Sequence, residues 1–83
     1  MEVELTAEAV AQLAKLPSPI VGRMDAVVER LKDWPNVSGA KPLKQSLKGN
    51  FRIRTGDYRI VFRLEGGRII VWRIADRRDA YEE

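Results

Sequence analysis

The side chains best equipped for chemistry are the arginines of FRIRTGDYRIVFR, residues 51–63. A guanidinium keeps its charge at any physiological pH and donates hydrogen bonds in pairs from a planar fork. It is therefore suited to clasp a phosphate and to stabilise charge that builds on one. If Thr55-Gly56-Asp57 turns a hairpin, Arg52, Arg54, Arg59 and Arg63 project from one face and Phe51, Ile53, Tyr58, Ile60 and Phe62 from the other. Arg73, in the later run 68–75, has the parity to join the basic face. Such a row binds and polarises an anion but is a poor proton acceptor, because the arginine pKa lies above about 12. The chain has no His and no Cys, which removes imidazole acid–base chemistry, thiolate nucleophiles, disulfides and the usual zinc ligands. No cofactor and no metal site is expected.

Composition narrows the field further. Eighty-three residues suffice for one domain with a small core, taken as 1–83. The net charge of +3 is unevenly spread: residues 1–40 hold four Lys or Arg against six Asp or Glu, and residues 41–83 hold eleven against six. A basic second half implies a side that faces a polyanion, although charge alone equally describes an ordinary domain of high pI. Lys41, Lys44 and Lys48 fall in that half, where they either extend a phosphate track or are simply solvated. No apolar run is long enough to span a bilayer, and Met-Glu-Val-Glu does not resemble a signal peptide, so a cytoplasmic location is expected.

The elements that must position these residues can be read from period and punctuation. Glu2-Val-Glu-Leu5 alternates as a strand, and Thr6 is placed to cap a helix carrying Ala9, Val10, Leu13 and Leu16 on one stripe until Pro17 ends it. Ser18-Pro19 starts a second helix with the stripe Ile20, Met24, Val27, Val28 and Leu31, closed by Trp34-Pro35. Residues 35–50, rich in Pro, Gly, Asn and Ser, read as a connecting loop. Strands then follow over 51–54, 58–65 and 68–75, the last two joined by Gly66-Gly67 in a type I′ signal. In the last strand Ile70, Trp72 and Ile74 are expected to face the helices, and Val71, Arg73 and Ala75 the other side. Tyr58 and Phe62 read as core, and Trp34 and Trp72 as core or helix-end packing. The expected class is α+β: an N-terminal strand and a helical hairpin on one face of a twisted antiparallel sheet of about four strands, the other face open and basic.

The run LKGNFRIRTGDYRIVF at 47–62, followed by a hydrophobic strand and RRDAY at 77–81, closely resembles the RelE/ParE superfamily of toxin–antitoxin toxins, and the similarity spans nearly the whole chain. In the RelE branch the resemblance implies a toxin that sits in the ribosomal A site and cuts mRNA by attack of a ribose 2′-hydroxyl on the adjacent phosphate. It carries catalytic roles onto Arg52, Arg54, Arg59, Arg77 and Tyr81, with Arg78 the alternative to Arg77; the surrounding basic residues Lys41, Lys44, Lys48, Arg63, Arg73 and Arg78 are then the expected RNA contacts by their charge and placement. The expected partners are a cognate antitoxin protein and mRNA on the ribosome. The ParE branch implies DNA gyrase as the target instead, and a weakened member would bind only its antitoxin. Two departures bear on the chemistry: Arg52 and Arg54 stand where some members have lysine, and Asp76 where many have histidine or a basic residue. Asp76 is then either a substitute base or a partner of Arg77 or Arg78.

Overall fold

The computed structural model describes residues 1–76, which form five strands and two helices. In chain order these are β1 (Glu2–Leu5), α1 (Ala7–Ala14), α2 (Ser18–Leu31), β2 (Lys41–Pro42), a 3₁₀ turn (Gln45–Leu47), β3 (Asn50–Thr55), β4 (Tyr58–Glu65) and β5 (Arg68–Asp76). Thr6 caps α1 as its sequence position predicts, its Oγ1 accepting from the Ala9 N–H at 3.2 Å. Helix α2 begins one residue earlier than expected, with Pro17 rather than Ser18 in the cap position. Its stripe is the expected one: Met24, Val27 and Leu31 are buried, flanked by half-buried Ile20 and Val28. On α1 only Ala9 is fully buried, and Val10, expected on the stripe, is exposed.

The sheet order is β1-β5-β4-β3-β2. It has five strands rather than about four, and it is mixed rather than antiparallel, because β1 runs parallel to β5 in the register Glu2↔Arg68 to Leu5↔Val71. A parallel pair needs a crossover, and the helical hairpin begins it: the chain leaves β1 at Thr6, whose N–H still donates to the Val71 carbonyl at 3.0 Å, and enters α1. The added strand, β2, lies inside the segment expected to be loop. It is two residues long and contains a proline, which the sheet edge tolerates. The Gly66-Gly67 turn has φ of 58° and 75°, the pair of positive values that a type I′ hairpin demands.

The core is built between the helices and one sheet face. Ala9, Met24, Val27 and Leu31 meet Ile53, Ile60, Phe62, Ile69, Val71 and Ile74. Phe62 is fully buried; Phe51, its cross-strand partner, stacks against it at 5.7 Å, and Trp34 meets both rings edge-on at 5.0 and 5.4 Å. Aromatic pairs in such geometry add about 0.5–1.5 kcal/mol each beyond the area they bury.

One part of the alternation departs from expectation. Between β4 and β5 the register steps from Phe62↔Val71 to Val61↔Arg73, so Trp72 is an extra residue in β5, a β-bulge. Below the bulge Ile69 and Val71 face the helices and Ile70 faces away; above it Ile74 faces the helices and Arg73 faces away. Ile70, Val71 and Trp72 thus take the opposite sides from those that an unbroken period of two predicts. Trp72 is not a core residue: its indole N–H donates to Asn50 Oδ1 at 2.9 Å across β4. Because Phe62 closes the aromatic cluster from the middle of the sheet, Phe62→Ala should cost about 3–5 kcal/mol. Urea unfolding measures that loss as a lower midpoint.

Candidate functional site

The sheet face away from the helices carries the arginines, as alternation along β3 and β4 requires. The register groups them into rows that cross the strands. Ala75, Arg59 and Arg54 form one row; Arg73, Val61, Arg52 and Lys41 form the next; Ile70, Arg63 and Asn50 form a third beyond the bulge. Arg54 and Arg59 are directly opposed, a like-charge pair of the kind that costs a sheet stability unless something offsets it.

This face is less open than expected. Arg52 is 6 % exposed, with Val61 at 2 % and Ile70 at 7 %. Arg59, Arg63 and Arg73 are half-buried, and of the five arginines only Arg54 is exposed. The Nε atoms of Arg52, Arg59 and Arg73 are all shielded from solvent. Val61 lies in register between Arg52 and Arg73, whose aliphatic stems are placed to cover it, so these residues carry apolar packing as well as charge.

The face is also less uniformly basic. Arg63 Nε donates to Glu65 Oε2 at 2.8 Å, and Arg68 Nη1 to Glu4 Oε1 at 2.6 Å. Both acids belong to the far face by register, so the end of the sheet near Gly66-Gly67 is charge-compensated. The other end of the face groups Arg52, Arg54, Arg59 and Arg73 on adjoining rows. Glu65 was legible as a partner, since positions 63 and 65 share a parity; Glu4 was not, because its approach to Arg68 depends on the long-range pairing of β1.

The remaining site residues divide by location. Lys41 is exposed on β2 and in register with Arg52, so it extends the second row. Lys44 and Lys48 flank the 3₁₀ turn and are exposed. Arg77, Arg78 and Tyr81 lie outside the described residues. Asp76 ends β5 opposite Tyr58, a core-side residue. Its parity therefore assigns it to the helix side of the sheet rather than to the arginine side. A cleft of about 350 Å³ opens there, with Gln12 and Lys15 of α1 on one side and Tyr58, Arg73 and Asp76 on the other. Gln12 and Lys15 carry no signal in the sequence that marks them as neighbours of the basic face. Among the described residues no cluster of acidic side chains is arranged to hold a metal ion, and no helix is long and apolar enough to cross a membrane.

A helical hairpin laid on one side of a sheet, with arginines massed on the other side, is the arrangement expected from the resemblance to RelE/ParE toxins, here with a mixed sheet of five strands in place of an antiparallel one of about four. The chain belongs to the family of ParE toxins of type II toxin–antitoxin systems, whose model matches residues 3–81. It is 35% identical over 82 residues to Toxin RelE of Mycobacterium tuberculosis strain H37Rv, covering 95% of this chain and 84% of the relative. Among solved structures it is similar to the toxin–antitoxin complex RelBE2 of M. tuberculosis, with a TM-score of 0.80, 29% identity, and 92% and 96% of the two chains covered. It is also similar to the RelB–RelE antitoxin–toxin complex of Methanococcus jannaschii, with a TM-score of 0.75, 25% identity and 89% of each chain covered.

The burial pattern separates two arginines that the sequence presents alike. Arg52→Ala should destabilise the fold by about 1–3 kcal/mol, because it removes a buried stem and leaves its neighbours unpacked, whereas Arg54→Ala should stay within about 0.5 kcal/mol of the parent. Chemical denaturation of the two variants side by side provides the check.

Proposed function

We propose that the chain is a ribosome-dependent mRNA endonuclease, the toxin of a pair whose cognate antitoxin neutralises it. The observation that carries this reading is the concentration of Arg52, Arg54, Arg59 and Arg73 on adjoining rows of one rigid sheet face. The RelE name of the relative and the antitoxin-bound state of both similar structures support it. In the reaction, a ribose 2′-oxygen attacks the adjacent phosphorus, the bond to the 5′-oxygen breaks, and a 2′,3′-cyclic phosphate and a 5′-hydroxyl result. The proton lost by the 2′-hydroxyl must be accepted, and the departing 5′-oxygen must gain one. The pentavalent transition state gathers negative charge, which guanidiniums fixed in place stabilise without reorganising. In this reading Arg59 and Arg77 meet the scissile phosphate, Arg52 and Arg54 hold the ribose-phosphate backbone beside it, and Tyr81 stacks on a base. Lys41, Lys44, Lys48, Arg63, Arg73 and Arg78 contact flanking phosphates, with Arg63 the weakest contributor because Glu65 already engages it. The antitoxin would offer acidic residues to the same face and pack on the helical hairpin.

A second reading follows from the matched family itself: a ParE-like inhibitor of DNA gyrase, for which the basic face contacts protein or DNA and no ribose chemistry is needed. Primer extension on mRNA translated with the purified chain discriminates between the two. New A-site cuts are expected. Normal translation without cuts, together with inhibited supercoiling in a gyrase assay, would replace the first reading with the second. Within the ribonuclease reading, Arg59→Ala should lower the cutting rate by about 10²–10³-fold, the usual loss for one preorganised donor at a developing oxyanion. Antitoxin binding should survive the change, as measured by co-purification; equal loss of both would make Arg59 a structural residue.

A further inference from the structure

The outer edge of β5 changes hands at the bulge. Strand β1 pairs with β5 only as far as Val71, where Thr6 makes the last bond and the chain turns away into α1. From Trp72 to Asp76, β1 no longer lines that edge, yet this is the part of the strand that presents Arg73 to the basic face. A different residue takes over: Gln12 of α1 accepts the Ile74 N–H on its Oε1 at 2.6 Å, across 62 positions of sequence. The carboxamide is held in that sense from behind, because Gln12 Nε2 donates to Glu8 Oε1 one helical turn away at 3.3 Å. Gln12 is itself half-buried and lines the cleft shared with Arg73.

We infer that Gln12 is a positioning residue for the basic face, which substitutes for the missing β1 partner at Ile74 and thereby fixes the orientation of Arg73. The physical argument is one of alternation. N–H groups along a strand point to opposite edges in turn, so those of Arg73 and Ala75 serve the β4 ladder while that of Ile74 points outward. A bulge weakens the ladder just before this point, leaving Arg73 between the irregularity at Trp72 and the bond at Ile74. An outward, part-buried N–H left without an acceptor loses the worth of its bond and is exposed to competition from water. The strand end then gains freedom to twist, and the guanidinium at Arg73 moves with it. A displacement of about 1 Å at a site of this kind costs up to about 10²-fold in rate.

The test uses the full chain and two variants of nearly constant volume. Gln12→Leu removes the acceptor, and Gln12→Glu, made together with Glu8→Gln so that position 8 donates to the new carboxylate, retains one. Hydrogen exchange followed by NMR reads the Ile74 amide and the Arg73 Nε–H, whose nitrogen is shielded from solvent in the parent. Both should exchange at least about tenfold faster in Gln12→Leu, and return to near the parental rate in Gln12→Glu/Glu8→Gln. Faster exchange at Ile74 alone would reduce Gln12 to a local cap, and unchanged exchange at both would remove the role entirely; either overturns the inference. Its kinetic consequence rests on the ribonuclease reading: Gln12→Leu should lower the cutting rate about tenfold, with the double variant Gln12→Leu/Arg73→Ala no slower than Arg73→Ala alone. Additive losses would overturn the coupling. If the parent chain cuts no mRNA, that reading fails, while the exchange rates still decide the positioning role.

Discussion

One extra residue in β5 is the constraint on which both faces of the sheet depend. The last strand must bury Ile69 and Val71 against α1 and α2 near its start, and Ile74 near its end. Positions 71 and 74 differ by an odd number, so no unbroken strand can point both inward. The bulge at Trp72 absorbs the mismatch. Its consequence on the far face is that Ile70 and Arg73 both point outward, and that the row Arg73–Val61–Arg52–Lys41 is continuous across four strands. The basic face is thus assembled by a correction made on behalf of the core. Trp72, displaced from the core by that correction, finds its partner in Asn50, which in turn donates to the Leu47 carbonyl and secures the approach to β3.

Magnitudes show why the arginines can be held so close together. Two like charges about 5 Å apart repel by roughly 0.8 kcal/mol in water and roughly 3 kcal/mol at an effective dielectric of 20. Burying Ile60, Val61 and Phe62 of the intervening strand contributes about 1.5–3 kcal/mol for each side chain. Packing on β4 is therefore of the size needed to keep Arg54 and Arg59 in opposed register. At the end near Gly66-Gly67, Glu65 engages Arg63 and Glu4 engages Arg68. The row Arg73–Val61–Arg52–Lys41 and the opposed pair Arg54 and Arg59 occupy the rest of the face.

How much of this was legible in the sequence follows from how local each determinant is. Thr6 as a cap, the stripe of α2, the turn at Gly66-Gly67 and the two-sided pattern of β3 and β4 each depend on neighbours within a few residues, and each is present in the structure. Lys41–Pro42 was unreadable as a strand because two residues show no period, and Pro42 argues against one. The pairing of β1 with β5 joins residues 66 apart, and nothing in Glu2–Leu5 specifies a parallel partner. The bulge leaves no local mark: an unbroken period of two through Trp72 points Ile69 outward, and only the packing of Ile69 against the helices demands the extra residue. Of the basic face, the arginine positions were legible from parity. Their burial was not, since it depends on how side chains from adjacent strands cover Val61 and Ile70.

The chemistry that such a face favours follows from what arginine does well. A positioned general base contributes about 10²–10⁴-fold to a proton transfer, and its pKa must lie near the working pH to do so. Arginine, with a pKa above about 12, cannot fill that role. Asp76, the candidate carboxylate nearest in sequence, has the helix-side parity at the end of β5 and lines the same cleft as Arg73. Electrostatic stabilisation has no such requirement, and each preorganised donor contributes about 10²–10³-fold where charge develops. In the ribonuclease reading, two guanidiniums on one phosphate would match in size the contribution of one positioned base. They do so only if the arginines are fixed beforehand, because a mobile guanidinium must be ordered during the reaction and returns much of its advantage as entropy. In the ribonuclease reading that condition gives a use to the contacts that hold this sheet, from the aromatic cluster beneath β4 to the bond between Gln12 and the Ile74 amide.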